Sequence, residues 1–148
     1  MDMDAIVRWG VAGTGSIADK ALGDLAFVPN AVLSAVGSRS LERAERFAAA
    51  HTRVAGRGTC PTPYGSYRDL IDDPSVDVVY VTTPHPQHRP LALAALAAGK
   101  AVMVEKSFTV TPAATREVVT AARKAGCFAM EAMWTRFCPA VARLRELV

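Results

Sequence analysis

Residues 6–18, IVRWGVAGTGSIA, join an apolar run to a glycine-rich turn and to the start of an amphipathic segment. The last six letters match the pattern G-x-G-x-x-G/A, which occurs where a strand turns into a helix that binds the phosphates of a dinucleotide. We expect Gly13 to make the turn, Gly15 to let backbone N–H groups approach a pyrophosphate, and Ala18 to let the helix pack closely on the strand. The loop residues expected to contact a dinucleotide are Gly13, Thr14, Gly15, Ser16 and Ile17.

The glycine pattern alone leaves two alternatives to dinucleotide binding open. The loop could be a plain tight turn, and methyltransferases use similar glycine-rich loops. The context favours dinucleotide binding, because an apolar run precedes the loop and Ile17, Ala21, Leu22 and Leu25 follow it at helical spacing.

Length and composition restrict the class of protein. The 148 residues suggest one domain, and 51% hydrophobic with 21% charged residues is typical of a soluble globular chain. The net charge of +3 is modest and its arginines are scattered, so we expect no nucleic-acid partner. No apolar run has membrane-spanning length, so we expect no membrane partner. The three cysteines lack C-x-x-C spacing, which predicts reduced thiols and a cytoplasmic location.

Apolar β-prone runs alternate with helical patterns along the chain, which predicts an α/β fold. Predicted strands cover residues 6–11, 31–37, 76–82, 101–105 and 127–133, with a short strand before Tyr64 in the otherwise unstructured stretch 51–63. Predicted helices cover residues 16–25, 41–50, 66–71, 89–98, 112–125 and 139–148. This alternation predicts a Rossmann-type, doubly wound parallel sheet of about six strands. We assign residues 1–133 to this domain and residues 134–148 to a connecting segment and helix. His51 is expected to be exposed at a helix end.

The end of the second predicted strand indicates which nucleotide is bound. NAD enzymes of this fold place an acid there for the ribose 2′-hydroxyl, whereas this chain has Ser38, Arg39 and Ser40. A guanidinium attracts a 2′-phosphate and can form paired hydrogen bonds with it. The sequence therefore predicts NADP, with NAD less favoured. Two alternatives stay open: Arg39 could be a solvated surface residue, and Glu42 could support NAD binding from the following helix. The arginine also argues against a methyltransferase, whose site prefers an acid.

Two polar motifs follow the fourth and fifth strands, where the ligand site of an open α/β sheet lies. They are residues 82–88, TTPHPQH, and residues 105–107, EKS. A lysine beside a coenzyme can hydrogen-bond a substrate hydroxyl or carbonyl, although a strand-end lysine is more often a solvated charge. His85 and His88 lack a third ligand nearby, so no metal site is expected.

Five segments in order carry a resemblance to a known family: residues 10–18 GVAGTGSIA, 37–40 GSRS, 80–88 YVTTPHPQH, 98–111 AGKAVMVEKSFTVT and 130–148 MEAMWTRFCPAVARLRELV. The chain resembles the Gfo/Idh/MocA oxidoreductases, and its tail is similar to the branch that includes dihydrodiol and xylose dehydrogenases. The resemblance implies NADP-linked hydride transfer on a CH–OH or CH–CH donor. The implied substrate is a sugar, polyol or diol, and a homodimer is a possible assembly.

The resemblance also implies roles for individual residues. Lys106 matches the family's catalytic lysine, and Glu105 matches the acid before it. The residues implied to contact the coenzyme are Thr83, Pro84, His88, Glu105, Trp134 and Arg136. Ser107 departs from the family pattern, which has proline there.

Family members carry a second, substrate-binding domain after this one, and we expect it to be absent here. Such a chain is expected to bind NADP, to turn over poorly, and to aggregate without coenzyme because of an exposed apolar face on its last helix. The alternatives are a non-catalytic nucleotide-binding or regulatory module, and a truncated inactive fragment.

Overall fold

Six parallel strands form the centre of the computed structural model, which describes residues 5–55 and 60–147. The strands are β1 Val7–Ala12, β2 Ala31–Gly37, β3 Thr62–Tyr64, β4 Val78–Val81, β5 Ala101–Glu105 and β6 Ala129–Ala132. Their order across the sheet is β3-β2-β1-β4-β5-β6, and every pairing is parallel. The chain therefore reverses its direction of progress between β1 and β4, which is the position where ligands bind in doubly wound sheets.

Helices cover both faces of this sheet, as the alternating pattern predicted. They are α1 Ser16–Leu25, α2 Leu41–Ala50, α3 Tyr67–Asp72, α4 His88–Ala97, α5 Pro112–Ala125 and α6 Pro139–Glu146. Side chains of α1 and α2 pack with Tyr80 on one face, whereas α3, α4 and α5 pack with Val79 and Val81 on the other. Because neighbouring strand residues point to opposite faces, β4 is buried on both sides.

Three of the six described helices start with a side-chain cap. The side chains of Ser40, Ser66 and Thr111 accept hydrogen bonds from backbone N–H groups in the first turns of α2, α3 and α5. Gly126 ends α5 in the left-handed conformation, with φ +64°. The starts of α1, α4 and α6 have no side-chain cap, and α1 is the one that begins after a glycine, Gly15.

Every predicted element is present, but several boundaries differ. The fourth strand is limited to Val78–Val81 rather than residues 76–82, because Val76 N–H bonds a turn carbonyl and the Asp77 side chain bonds Arg8. The sixth strand spans Ala129–Ala132 rather than residues 127–133, and the first ends one residue later than expected. The helix predicted at residues 89–98 begins one residue earlier, with His88 as its first residue.

His51 corrects one expectation, since it is buried rather than exposed. Its ring stacks on Phe47, with 4.2 Å between ring centroids, and hydrogen-bonds the backbone carbonyl of the same residue. It also contacts Asp19 of α1. A polar residue at a helix end is usually solvated, but this one folds back over its own helix and reaches Asp19 of α1.

An ion pair joins the start of β1 to the turn before β4. The Arg8 guanidinium donates to both carboxylate oxygens of Asp77, at 2.9 Å from Nε and 2.6 Å from Nη2, and Arg8 N–H donates to the same group. These donors, led by the guanidinium, hold the pKa of Asp77 below its usual value. The pair fixes β1 beside β4 at the end of the sheet opposite to the ligand edge.

Asp77→Asn is expected to lower the melting temperature by a few degrees at neutral pH. Because the folded pKa lies below the unfolded one, the stabilisation is complete above about pH 4 and is lost as pH falls through the lowered value. Thermal unfolding followed by circular dichroism at several pH values measures this. A melting-temperature difference that stays constant into acid would contradict the ion-pair account.

Candidate functional site

The loops that follow β1, β2 and β4 enclose a cavity of about 820 Å³ at the carboxyl edge of the sheet. Its volume lies in the range of small-molecule and cofactor sites. The lining residues are Gly13, Thr14, Gly15, Ser38, Arg39, Ser40, Arg43, Tyr67, Thr82, Thr83 and Pro84. The structure therefore brings together most of the predicted glycine-loop residues, the three residues after β2, and the threonine and proline after β4.

The two glycines of the loop have different physical roles. Gly13 has φ +120°, and a Cβ placed there would lie 2.5 Å from Thr82 Oγ1, so both conformation and space require glycine. Gly15 has φ −88°, which any residue can adopt, and a Cβ there would meet no protein atom within 4 Å. Nothing in the described protein explains glycine at position 15, whereas a ligand seated against the loop does.

The start of α1 is suited to an anion. The first N–H groups of any helix lack partners within the helix and carry a partial positive charge. In α2, α3 and α5 a side-chain oxygen accepts from one of them, but in α1 no side chain does so. These donors lie beside the open space at Gly15, so a phosphate group fits there.

The residues after β2 supply positive charge to the same cavity. Ser40 caps α2 by accepting from Arg43 N–H, and Ser38 Oγ accepts from Ser40 N–H. This places the side chains of Arg39 and Arg43 along the cavity, and the cavity lining contains no carboxylate. Within residues 5–55 and 60–147, neither guanidinium has a carboxylate partner.

Arg43 and Tyr67 both line the cavity but were not predicted from the sequence. Arg43 was detectable in principle, because a serine such as Ser40 before a helical pattern is a typical N-cap, and Arg43 is the third residue after it, in the first turn of the helix. Tyr67 gave no such signal, since it reaches the cavity from α3 through the fold of the chain and not through sequence proximity.

The loop after β4 presents one buried, unpaired hydroxyl. Thr82 Oγ1 donates to the carbonyl of Ala12, which ties this loop to the end of β1. Thr83 is 6% exposed, and its hydroxyl oxygen has no hydrogen-bond partner among the described residues. A buried polar atom without a partner costs free energy, so a ligand that offers a partner here gains from it. Pro84 follows and lines the same cavity.

Two histidines join the loops after β4 and β5. His88 is fully buried, and its ring nitrogens lie 2.7 Å from the carbonyl oxygen of Thr83 and 2.9 Å from that of Ser107. His85 Nε2 lies 3.1 Å from the carbonyl oxygen of Lys106. His88 does not line the cavity, so the predicted coenzyme contact of its side chain stays a prediction. No cluster of metal-ligating side chains occurs in the part of the chain that is described.

Glu105 and Lys106 lie at the end of β5 in different environments. Glu105 is buried and accepts hydrogen bonds from the Tyr80 hydroxyl and from Lys106 N–H. Burial, together with the bond to Glu105, raises the pKa of Tyr80, so this phenol stays protonated. The Lys106 side chain is exposed at the ligand edge, and the peptide bond between Lys106 and Ser107 is cis.

Trp134 and Arg136 do not line the cavity at the carboxyl edge. They belong to a 3₁₀ turn, Trp134–Phe137, in which Trp134 is 71% exposed. Trp134 borders a second, mostly apolar cavity of about 400 Å³ on the α1 side of the sheet, together with Glu105 and with Ile17 of the glycine loop. The coenzyme contacts of Trp134 and Arg136 stay predictions. Leu144 on α6 and Leu147, directly after it, are more than half exposed.

The described helices include none with the length and apolarity to cross a bilayer.

Residues 7–133 match the family described as "Oxidoreductase family, NAD-binding Rossmann fold", named GFO_IDH_MocA. The chain belongs to the Gfo/Idh/MocA oxidoreductase family. The match begins with β1 and ends directly after β6, so it contains the whole sheet.

Gfo/Idh/MocA relatives are similar to nearly all of this chain. The trans-1,2-dihydrobenzene-1,2-diol dehydrogenase of Mus musculus is 44% identical over 96% of the chain, and the D-xylose 1-dehydrogenase (NADP(+)) of Hypocrea jecorina is 40% identical over 96%. A 3-ketoreductase from Actinomadura kijaniata, solved in complex with NADP, superposes with a TM-score of 0.85 at 30% identity over 96% of the chain. The chain covers 41%, 38% and 43% of these three proteins, respectively.

Gly15→Ala is expected to leave the fold intact and to weaken binding of a dinucleotide at least tenfold. The added methyl group meets no protein atom, so the free energy of unfolding should fall by no more than about 1 kcal/mol, the preference for glycine over alanine at an N-cap, yet the methyl group enters the space proposed for the phosphates. Denaturant unfolding and a fluorescence titration with NADPH measure the two quantities.

Gly23→Ala is the matched control on the same helix. Gly23 also has open space around its Cβ position, but it lies outside the cavity. It should stabilise the fold by about 0.5–1 kcal/mol, because alanine is the better helix former, and leave binding unchanged. Equal binding by both variants would contradict the placement of the phosphates at Gly15.

Proposed function

We propose that this chain is the coenzyme-binding domain of an NADP-dependent oxidoreductase that acts on a hydroxyl or carbonyl carbon of a sugar, polyol or diol. The observation that carries the proposal is the cavity at the carboxyl edge, in which an uncapped helix start faces two unpaired arginines. The N–H groups of the helix start can bind the pyrophosphate, and the arginines can bind a further phosphate group. The unpaired hydroxyl of Thr83 offers a further polar contact.

Several features support NADP over NAD. Arg39 and Arg43 border the cavity beside Ser38 and Ser40, so a 2′-phosphate would find two cations and two hydroxyl groups there. Glu42, which could have served the ribose of NAD, forms an exposed ion pair with Arg46 and does not line the cavity. The NADP named for the Hypocrea jecorina relative and present in the ketoreductase complex agrees with this choice.

Arg39→Ala and Arg43→Ala should each weaken NADPH binding about 10- to 100-fold, because each removes a charge-assisted hydrogen bond to a phosphate. NADH lacks the 2′-phosphate, so its affinity should change less than about threefold. Arg68→Ala is the control, since Arg68 pairs with Asp72 on the surface of α3. Dissociation constants from fluorescence titrations decide the outcome. Parallel losses for NADPH and NADH would remove the 2′-phosphate assignment.

The oxidised coenzyme supplies a hydride acceptor when it is bound, and the chain's own residues must position the substrate and move its proton. Lys106 Nζ, exposed at this edge, is a group that can do so. In the direction of carbonyl reduction its ammonium gives a proton to the developing alkoxide oxygen, and in alcohol oxidation its neutral amine takes that proton. The names of the diol and xylose dehydrogenase relatives support a hydroxyl-bearing substrate.

Lys106→Met should reduce turnover by about 10²- to 10⁴-fold, the usual contribution of a general acid or base, and leave NADPH affinity unchanged. The assay follows NADP⁺ reduction with a panel of aldoses and vicinal diols. Lys124→Met is the control, because Lys124 is an exposed lysine in the last turn of α5.

The same panel tests the alternative of a non-catalytic nucleotide-binding or regulatory module. That alternative predicts tight NADPH binding with no reduction of NADP⁺ by any member. The homodimer and the cytoplasmic location stay predictions from the sequence.

A further inference from the structure

His51 has hydrogen-bond acceptors at both of its ring nitrogens. Nδ1 lies 2.8 Å from the carbonyl oxygen of Phe47, and Nε2 lies 3.0 Å from a carboxylate oxygen of Asp19. A neutral imidazole carries one N–H, so it would turn a lone pair towards one of these oxygens. Hydrogen bonding to both requires N–H groups on both nitrogens. The geometry therefore fits a positively charged His51 paired with an ionised Asp19.

The surroundings contain features that favour and features that oppose this charge. The ring stacks on Phe47 and lies at the C-terminal end of α2, where the helix dipole favours a cation. Arg43 and Arg46 of α2 line the same small cavity and oppose it. Asp19, on α1, is the one carboxylate among the residues that line this cavity. The contacts with Phe47 and Asp19 are therefore the features that favour a cation at this position.

The position of Asp19 gives this pair a link to the coenzyme site. Asp19 is the acidic residue in the first turn of α1, the helix whose uncapped start faces the proposed phosphate position. The cavity that contains the pair, about 380 Å³, shares Thr14 and Arg43 with the coenzyme cavity. A free carboxylate here would repel a phosphate group, whereas a carboxylate held by an imidazolium would not.

We propose that His51 is a positioning residue for coenzyme binding: its protonated ring neutralises Asp19 and holds that carboxylate away from the phosphates. The proposal rests on the NADP site proposed above. It predicts that the affinity for an anionic coenzyme falls as His51 loses its proton. With the ring protonated the charge of Asp19 is neutralised, and with the ring neutral that negative charge has no cationic partner, whichever ring nitrogen keeps its proton.

A double-mutant cycle separates this role from a purely structural one. The four proteins are the parent, His51→Gln, Asp19→Asn and the double variant, each titrated with NADPH. His51→Gln should weaken binding about three- to tenfold when Asp19 is present, because an unpaired carboxylate then remains near the phosphates. In the Asp19→Asn background the same substitution should change binding less than about twofold. Equal losses in both backgrounds would overturn the proposal.

The pH dependence provides a second readout. Between about pH 5 and pH 8, where histidine titrates, the ratio of parent to Asp19→Asn affinity should fall as pH rises. Titration of the 2′-phosphate is common to both proteins and cancels in this ratio. NADH, which lacks that phosphate, should show the same trend. A ratio that does not change with pH would overturn the proposal even if His51→Gln fails to fold.

The protonation state can be read without coenzyme. Two-bond ¹H–¹⁵N spectra of the free chain, recorded at the pH at which the double-mutant cycle is measured, should show both ring nitrogens of His51 protonated, and a neutral tautomer would overturn the proposal. If the spectra show the imidazolium but the parent chain does not bind NADPH, the proposed function fails and this inference fails with it. If NADPH binds and the cycle shows no coupling, only this inference fails.

Discussion

The unsatisfied N-terminus of α1 is the constraint on which the rest of the site depends. Three helices of this chain satisfy part of their first turn with a serine or threonine side chain, whereas α1, like α4 and α6, has no side-chain cap, and α1 begins at a glycine with empty space beside it. The helix therefore presents N–H donors and a partial positive charge to that space. This helix start favours an anionic ligand. The two arginines after β2, Arg39 and Arg43, add positive charge to the same cavity.

The sheet topology explains why these groups meet. Parallel strands end at one edge, and the order β2-β1-β4-β5 places the loops after them side by side. Hydrogen bonds then fix the loops to one another: Thr82 bonds the end of β1, and His85 and His88 bond the loop after β5. Burial of β4 on both faces gives these loops a rigid base. Hydrogen bonds between side chains of one loop and backbone carbonyls of the next thus hold the binding edge together.

Much of the fold could be predicted from local sequence, because local chemistry determines it. The glycine loop, the serine cap before α2, and Gly126 after α5 each combine a residue type with a backbone conformation that few alternatives satisfy. Buried β-branched runs identified the strands, although their ends depend on tertiary contacts such as the Arg8–Asp77 pair. The family match over residues 7–133 confirmed the resemblance that the motifs had indicated.

The features that the sequence did not reveal depend on contacts between residues that are far apart in the chain. His51 is buried because it bonds Asp19, 32 residues earlier, and no local pattern encodes that contact. Tyr67 reaches the cavity only after α3 packs beside β2. The coenzyme contacts of Trp134 and Arg136 came from family resemblance and stay predictions, although Trp134 shares a cavity with Ile17 and Glu105. Site residues supported by local geometry were thus easier to predict than those that require tertiary placement.

A crystal structure of the chain with NADP⁺ would show where the coenzyme phosphates bind. We expect the pyrophosphate on the N–H groups at the start of α1, against Gly15, with the 2′-phosphate between Arg39 and Arg43. Phosphates bound elsewhere, with the cavity at the carboxyl edge left to solvent, would contradict this placement.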